Sequence, residues 1–524
     1  MLPWLNPRAG GPSPSVEPWL FSAFCMAIAF GTHGSAALRR AVGPALAALA
    51  VWALARSGVS PEALALAAAC LAIYMAASMA AAGCARPELV RAIALAWLLA
   101  ASASTAIALV QYFGLAEPFA GWISASPLGE AFANLRQRNQ FASLTVIGMA
   151  SLFLLAPREM RRWPAWAAMC WLAIGNAATT SRIGLLQMVV LGALACAWPG
   201  PRRERALLWT AGLVAYGVAA MALPSLLEAA LGQPGSRLWE RVAGVEACSS
   251  RWVLWSNVLE LMAQKPWLGW GWGELDYAHF VNLYDGPRFC DILDNAHNLP
   301  LHLAVELGLP ATLLACVGLL WAIARAAPWH ETDAVRQMAW AVLAVIVLHS
   351  LVEYPLWYGP FQLAFGLCLG LLWPARGARA LPSPAARAGA AALTAVVVLA
   401  CAYTAWDYRR VSQIYLPAEA RAPGLRDNPL SEVRKSRLFR SQARFAELTI
   451  TPLTAANAQW TFDSAADLLH YSPEPRVIEK LIESGAALGR SSEMQLHLTR
   501  FRAAFPDAYT AWSQAAAGRK VTSR

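Results

Sequence analysis

A polytopic, all-α membrane protein is the fold class predicted here, on three observations. Of 524 residues, 58% are hydrophobic and 14% are charged, where an ordinary soluble domain is about a quarter charged. Mean hydropathy is +0.42. Apolar runs of roughly 17 to 25 residues recur from Trp19 to about Trp406, each long enough to cross a hydrocarbon layer ~30 Å thick. A soluble enzyme built on one large core is excluded. The net charge of +10 does not indicate a nucleic-acid partner, because the arginines are spread over short inter-helix loops rather than gathered on one patch.

Breaks at charged residues, Pro and Gly divide the chain into about twelve spans, near residues 17–33, 41–56, 62–81, 90–110, 140–156, 163–179, 183–199, 206–227, 298–324, 336–352, 358–374 and 388–405. Alternate loops carry Arg39 and Arg40, Arg86 and Arg91, Arg158, Arg161 and Arg162, Arg202, Arg203 and Arg205, Arg325 and Arg336, and Arg376, Arg379 and Arg387. The N-terminal tail and short loops of the opposite side hold only Arg8, Arg56, Arg136, Arg138 and Arg182. The positive-inside rule makes the richer set cytoplasmic, so both termini face outward. Trp163, Trp198, Trp357 and Trp373 sit at span ends, as interfacial belts require.

Three outward segments are more than connectors: 111–139, a long loop at about 228–297, and everything after Trp406. Residues 1–406 read as the transmembrane domain. Residues 407–524 read as a soluble helical domain of pairs, tetratricopeptide-like without a clean repeat, with apolar periodicity at Val477, Ile478, Leu481 and Leu488 and again at Met494, Leu498, Phe501 and Phe505. The ten cysteines show no metal spacing and most lie in apolar runs. Cys248 and Cys290 share the long polar loop and could pair if it faces an oxidising compartment.

Candidate chemistry falls at the outward ends of spans. Arg136, Arg138 and Gln140 place cations and an amide at the start of span five, where they anchor to lipid headgroups or meet an anionic substrate. Arg182, in a turn between apolar helices, pairs with a carboxylate or a phosphate, because an unpaired guanidinium near hydrocarbon costs several kcal/mol. The run Lys265 to Gly273 alternates Gly with Trp, fits no phosphate-loop pattern, and reads as a rigid turn that could also stack sugars. His297 stands where the loop enters span nine, ahead of His302 and Glu306, and a neutral imidazole with pKa near 6.5 suits a general base; a lone histidine is also commonly structural. His297 and His302 are not at the i, i+4 spacing of a helical zinc pair, so no metal site is expected. His349 to Tyr358 closes span ten with an ionisable cluster. With Arg251 and Tyr354 on the same face, this cationic cluster with one base suits a substrate having a phosphate head and a lipid tail.

The elements Asp294 to Asn298, Glu306 to Pro310, Arg251 to Trp255, Pro266 to Gly271 and Thr180 to Arg182 together resemble the O-antigen ligase superfamily. Arg138 to Ala142, His349 to Tyr358 and the domain after the last span resemble its protein-glycosylating branch, the bacterial PglL-type O-oligosaccharyltransferases. The resemblance implies en bloc transfer of a glycan from undecaprenyl-pyrophosphate to a Ser or Thr hydroxyl of a periplasmic or pilin protein, in the bacterial inner membrane with the site facing the periplasm. It implies that His297, Gln140 and Tyr354 are essential, with Tyr358 the alternative tyrosine, and that Arg182 and Arg251 hold the pyrophosphate with Arg138 beside them. No cofactor is implied, and a single displacement predicts inversion at the anomeric carbon. An O-antigen ligase acting on lipid A-core, an O-antigen polymerase and a transporter are the competing classes; internal repeats and mid-membrane polar residues, which a transporter would show, are not evident.

Overall fold

The computed structural model describes residues 1–8, 11–33, 42–58, 60–84, 86–233, 247–373 and 384–522. Arg39, Arg40, Arg376 and Arg379, and part of the long loop, lie outside the described residues. The fold is all-helical, with no strand among the described residues. Among the described residues six helices are long and apolar enough to cross a membrane: Pro61–Gly83, Pro87–Tyr112, Arg138–Pro157, Arg202–Leu231, Leu309–His330 and Pro384–Tyr415. Shorter apolar helices accompany them, among them Val16–Thr32, Val42–Ser57, Arg182–Ala197, Ala334–Ser350 and Gly359–Leu372.

The helix starting at Arg138 is the axis of the bundle. Its apolar window is 83% buried, against 6% for Leu309–His330 and 11% for Pro384–Tyr415. Helices Pro87–Tyr112, Arg162–Ala178, Arg182–Ala197 and Ala334–Ser350 pack around it. Elsewhere the bundle closes through small residues. Gly366 and Gly370 bring Gly359–Leu372 onto the Ile73 and Ala77 carbonyls of Pro61–Gly83, where a Cβ would come within 2.5 and 2.0 Å of those oxygens. Van der Waals packing of this close kind replaces the hydrophobic drive that lipid removes.

The single span expected over 298–324 is two helices, Leu299–Leu307 and Leu309–Ala326. The break is at Gly308, whose φ is +91° and whose Cβ would stand 2.2 Å from the Trp267 carbonyl. Only a residue without a side chain takes this conformation at that approach. The Gly/Trp run is the other half of the contact: Trp270 N–H donates to Val305 O at 2.8 Å and Leu309 N–H to Pro266 O at 2.8 Å. It is thus a turn clamped onto a helix end. Cys248 and Cys290 are bonded, with Cα atoms 5.4 Å apart, tying the segment before Arg251 to the segment before His297.

The tail helices Arg440–Ile450, Ala458–Leu468, Pro475–Ala487, Ser491–Ala504 and Pro506–Thr522 share a core of Phe445, Leu448, Phe462, Ile478, Leu481 and Phe501. That core also takes in Phe280 and Tyr277 of the loop helix Leu275–Val281. Arg500 Nε donates to Val281 O at 2.9 Å, and His470 Nδ1 meets Glu274 Oε2 at 2.6 Å. At the root of the tail the fully buried Asp407 accepts from Ser436 Oγ and from the Arg437 and Leu438 N–H groups at 2.8 to 3.0 Å. The tail is therefore seated on the loop as well as on the last apolar helix.

Candidate functional site

Several helices begin at one end of the bundle, and three of those described begin there with arginine. Arg138, Arg182 and Arg251 are each the first helical residue, behind the caps Gln137, Ser181 and Ser250, whose side chains accept from Gln140, Gly184 and Val253 N–H. Asn298 caps another by accepting from Leu301 N–H. Three residues with left-handed backbone, Arg136 (φ +59°), Thr180 (φ +50°) and His297 (φ +49°), directly precede caps. Such non-glycine conformations store strain and cluster where a fold aims a side chain. At His297 the strain is held by Asn295, whose Oδ1 accepts the His297 N–H at 2.8 Å, and by Trp255, whose indole N–H donates to Ala296 O at 3.1 Å.

Glu353 is the hub of this end. One carboxylate oxygen meets His297 Nδ1 at 2.9 Å and the other meets Arg251 Nη2 at 2.6 Å. Burial alone would raise the Glu353 carboxyl, but the His297 hydrogen bond and charge, Arg251 and His349 outweigh it and hold the group below the usual carboxylate range. An ionised Glu353 on Nδ1 fixes the tautomer that presents Nε2 as acceptor. Asn139 leans on Glu353 at 3.5 Å and accepts from Ser181 Oγ at 2.7 Å, joining the Arg138 and Arg182 turns.

The expected site residues converge here. Tyr354 stands edge-on to the His297 ring, centroids 5.0 Å apart, and stacks on Tyr358 at 6.0 Å. Gln140 is buried, and its side chain, like that of Tyr354, acts on the Tyr358 phenol. Both candidate tyrosines thus belong to the cluster, Tyr354 beside the imidazole and Tyr358 beside the glutamine. Burial raises both phenols, so each remains a neutral hydroxyl. Arg182 is exposed and pairs with none of the described residues; Arg138 has Nη1 buried without a hydrogen-bond partner. Guanidinium groups without a partner among the described residues, placed at helix N-termini, are of the kind that favours an anion. Among the described residues no group of three His, Cys, Asp or Glu is placed to hold a metal ion.

Glu353 and Asn139 were not among the expected site residues. Both lie inside the elements Arg138 to Ala142 and His349 to Tyr358, but the His297 and Glu353 partners are separated by 56 positions, which no local spacing reveals. The polar cluster at the other end is of a different kind. Buried Arg205 donates to Gln337 Oε1, Trp198 O and Pro199 O at 2.8 to 3.0 Å, so its charge is spent on closing the bundle.

Comparison with known proteins covers the same elements in order. Residues 131–156 match the family model described as protein glycosylation ligase, 167–316 that described as O-antigen ligase, and 337–520 that described as virulence factor membrane-bound polymerase, C-terminal. A general O-oligosaccharyltransferase of Acinetobacter baylyi is 26% identical over 266 residues, 48% of this chain and 45% of the relative. A ComP-specific O-oligosaccharyltransferase of the same organism is 23% identical over 287 residues, 54% of this chain and 51% of the relative. The chain spans about half the length of the curated relatives it matches. With His297, Glu353 and the three helix-starting arginines lying within or beside the matched segments, the family that this chain resembles is that of the O-antigen ligases and protein glycosylation ligases.

Proposed function

We propose that the protein is a glycosyltransferase that moves a glycan en bloc from undecaprenyl-pyrophosphate to Ser or Thr hydroxyls of periplasmic or pilin proteins. The observation that carries this reading is the His297–Glu353 pair, made through Nδ1, at the end of the bundle where the helices of Arg138, Arg182 and Arg251 start. The acceptor hydroxyl, a poor nucleophile at neutral pH, gives its proton to Nε2 as its oxygen attacks the anomeric carbon. The bond from that carbon to the pyrophosphate oxygen breaks, and the electron pair leaves with undecaprenyl pyrophosphate. Arg138 and Arg182, with the helix N-termini, stabilise the charge that develops, Arg251 acting there and through Glu353. Gln140, Tyr354 and Tyr358 orient sugar or acceptor by hydrogen bonds. One displacement inverts the anomeric centre. The Cys248–Cys290 disulfide supports an oxidising, periplasmic setting for this end of an inner-membrane bundle.

The test is co-expression with a lipid-linked glycan and candidate acceptors in a ligase-deficient host, followed by mass spectrometry of the acceptors. Glycosylated Ser or Thr with wild type and none with His297→Ala is the expected result. The polymerase description matched by residues 337–520 favours a second reading, in which another lipid-linked glycan is the acceptor; glycan chain extension without protein glycosylation would select it. Transfer to lipid A-core alone would select an O-antigen ligase.

A further inference from the structure

Between the outer loop and the tail lies a small cleft, open to solvent, that the reaction just described does not use. Asp276, Arg288 and Ile292 line its loop side; Pro473 and Phe505 line its tail side. Arg288 is the unbalanced group. Its Nη1 donates to Asn282 O at 3.0 Å and its guanidinium lies 5.4 Å from the Tyr284 ring centre, but Nε is buried without a partner. No carboxylate pairs with it among the described residues. Asp291 lines the same cleft but is exposed and forms no ion pair there.

Burial of this unpaired cation draws its pKa down to about 10, and a carboxylate arriving from outside would restore the balance that the chain does not supply. Asp276 does not fill that role. Burial drives its carboxyl well above the usual range, so it presents a neutral acid able to donate to a carbonyl. Ile292 is 44% exposed and gives the cleft an apolar wall opposite Phe505. Leu293 lines the cleft, and His297 follows four positions later, at most about 14 Å of extended chain.

Resting on the glycosylation reading above, we propose that this cleft seats the acceptor polypeptide. An Asp or Glu of the acceptor, within about four residues of the modified Ser or Thr, pairs with Arg288, and a neighbouring apolar side chain lies against Ile292 and Phe505. A polypeptide is favoured over the glycan because the walls combine one cation with apolar side chains, whereas sugar hydroxyls would leave the apolar wall unmatched. The tail supplies one side of the cleft, so an acceptor bound there is presented to His297 by two parts of the chain at once.

The test uses the purified full-length enzyme, a purified lipid-linked glycan and two Ser-containing peptides that differ only in Asp against Asn four residues from the Ser. The wild type should use the Asp peptide with a KM about tenfold lower, and Arg288→Ala should erase that difference with kcat unchanged. Arg288→Glu should prefer a peptide with Lys at the same position. Ile292→Glu, which leaves the Arg288 hydrogen bond in place, should raise the KM of the Asp peptide and keeps the test open should residue 288 prove necessary for folding. Equal discrimination by wild type and Arg288→Ala overturns the cleft assignment alone. Equal loss by Arg288→Ala with every acceptor, free N-acetylserine amide included, would place the donor's glycan in the cleft and likewise overturn it. Transfer by the wild type to lipid A-core but to neither peptide overturns the glycosylation reading and this one together.

Discussion

His297 and His302, close neighbours in the chain, each meet a glutamate, and the two pairs have opposite characters. His297 and Glu353 are 2.9 Å apart and 22% and 13% exposed; His302 and Glu306 are 3.3 Å apart and 4% and 1% exposed. The second pair is walled in by the Trp272 and Trp357 rings, and Glu306 also accepts the Gly273 and Leu275 N–H groups. Burial pushes His302 down to about 3 and Glu306 well above the carboxylate range, so both are driven to neutral forms. That pair braces the Gly/Trp turn against the helix Leu299–Leu307. The first pair keeps an ionised glutamate because the His297 hydrogen bond, and then Arg251 on its other oxygen, outweigh burial, and its imidazole stays partly exposed. The same two residue types become a brace or a reagent according to access and to the third partner.

The sharpest way to break this comparison is to remove each imidazole. His297→Ala should lower turnover by about 10² to 10⁴ with membrane insertion and donor binding retained; near wild-type turnover of the purified variant would remove the base from His297. Glu353→Gln should lower turnover by about 10² to 10⁴ by freeing the tautomer and orientation of the ring. It also carries a stability signature. Because the folded carboxyl is held low, its stabilisation is complete above the unfolded value of about 4.3 and is lost as pH falls through the lower folded value. The stability difference between wild type and Glu353→Gln should therefore be flat from pH 7 to about 4.5 and shrink below; a difference that fades near neutrality would contradict an ionised Glu353.

Arg182→Ala and Arg251→Ala should each weaken donor use by about 1.5 to 3 kcal/mol, and Lys should rescue only in part, since an ammonium cannot form the bidentate fork. Full activity of the Lys variants, measured as kcat/KM for the lipid-linked donor, would rule out a pyrophosphate clamp. At the sealed pair the effect should be on folding instead. His302→Ala should destabilise by about 1 to 3 kcal/mol. In the wild type, stability should decline as pH falls below about 6.5, because the unfolded histidine takes up a proton that the buried one refuses. Thermal denaturation of His302→Phe should show a shallower slope, since buried His279 adds a like contribution that remains.

The smallest expected effect concerns the tail. Removing residues 407–524 should reduce glycosylation of a protein acceptor about three- to tenfold more than that of a saturating free peptide, through lost local concentration. Equal loss with both acceptors, in a truncation shown to be folded, would make the tail a scaffold for the loop helix Leu275–Val281.

Much of this was legible in the residues alone. Helix existence followed from run length and composition, since hydrocarbon admits few alternatives to a helix that satisfies its own backbone. The tail's apolar periodicity marked Val477, Ile478, Leu481, Met494 and Phe501, all buried. His297, Gln140, Tyr354 and the arginines were recognisable because the chain places polar residues repeatedly at one end of successive spans. The break at Gly308 was not, because it depends on the Trp267 backbone reaching it from another segment.

What the sequence by itself determined is therefore what local physics governs: apolar length, the caps and turns that start each helix, and the type of residue at each helix start. Only the tertiary structure decided which of those residues meet. Glu353 joins Arg251 and His297 across 102 and 56 positions, Cys248 finds Cys290, and His302 is sealed while His297 is open. Pairing at such separations depends on how helices pack, and packing is set by many small contacts at once, so no single motif encodes it.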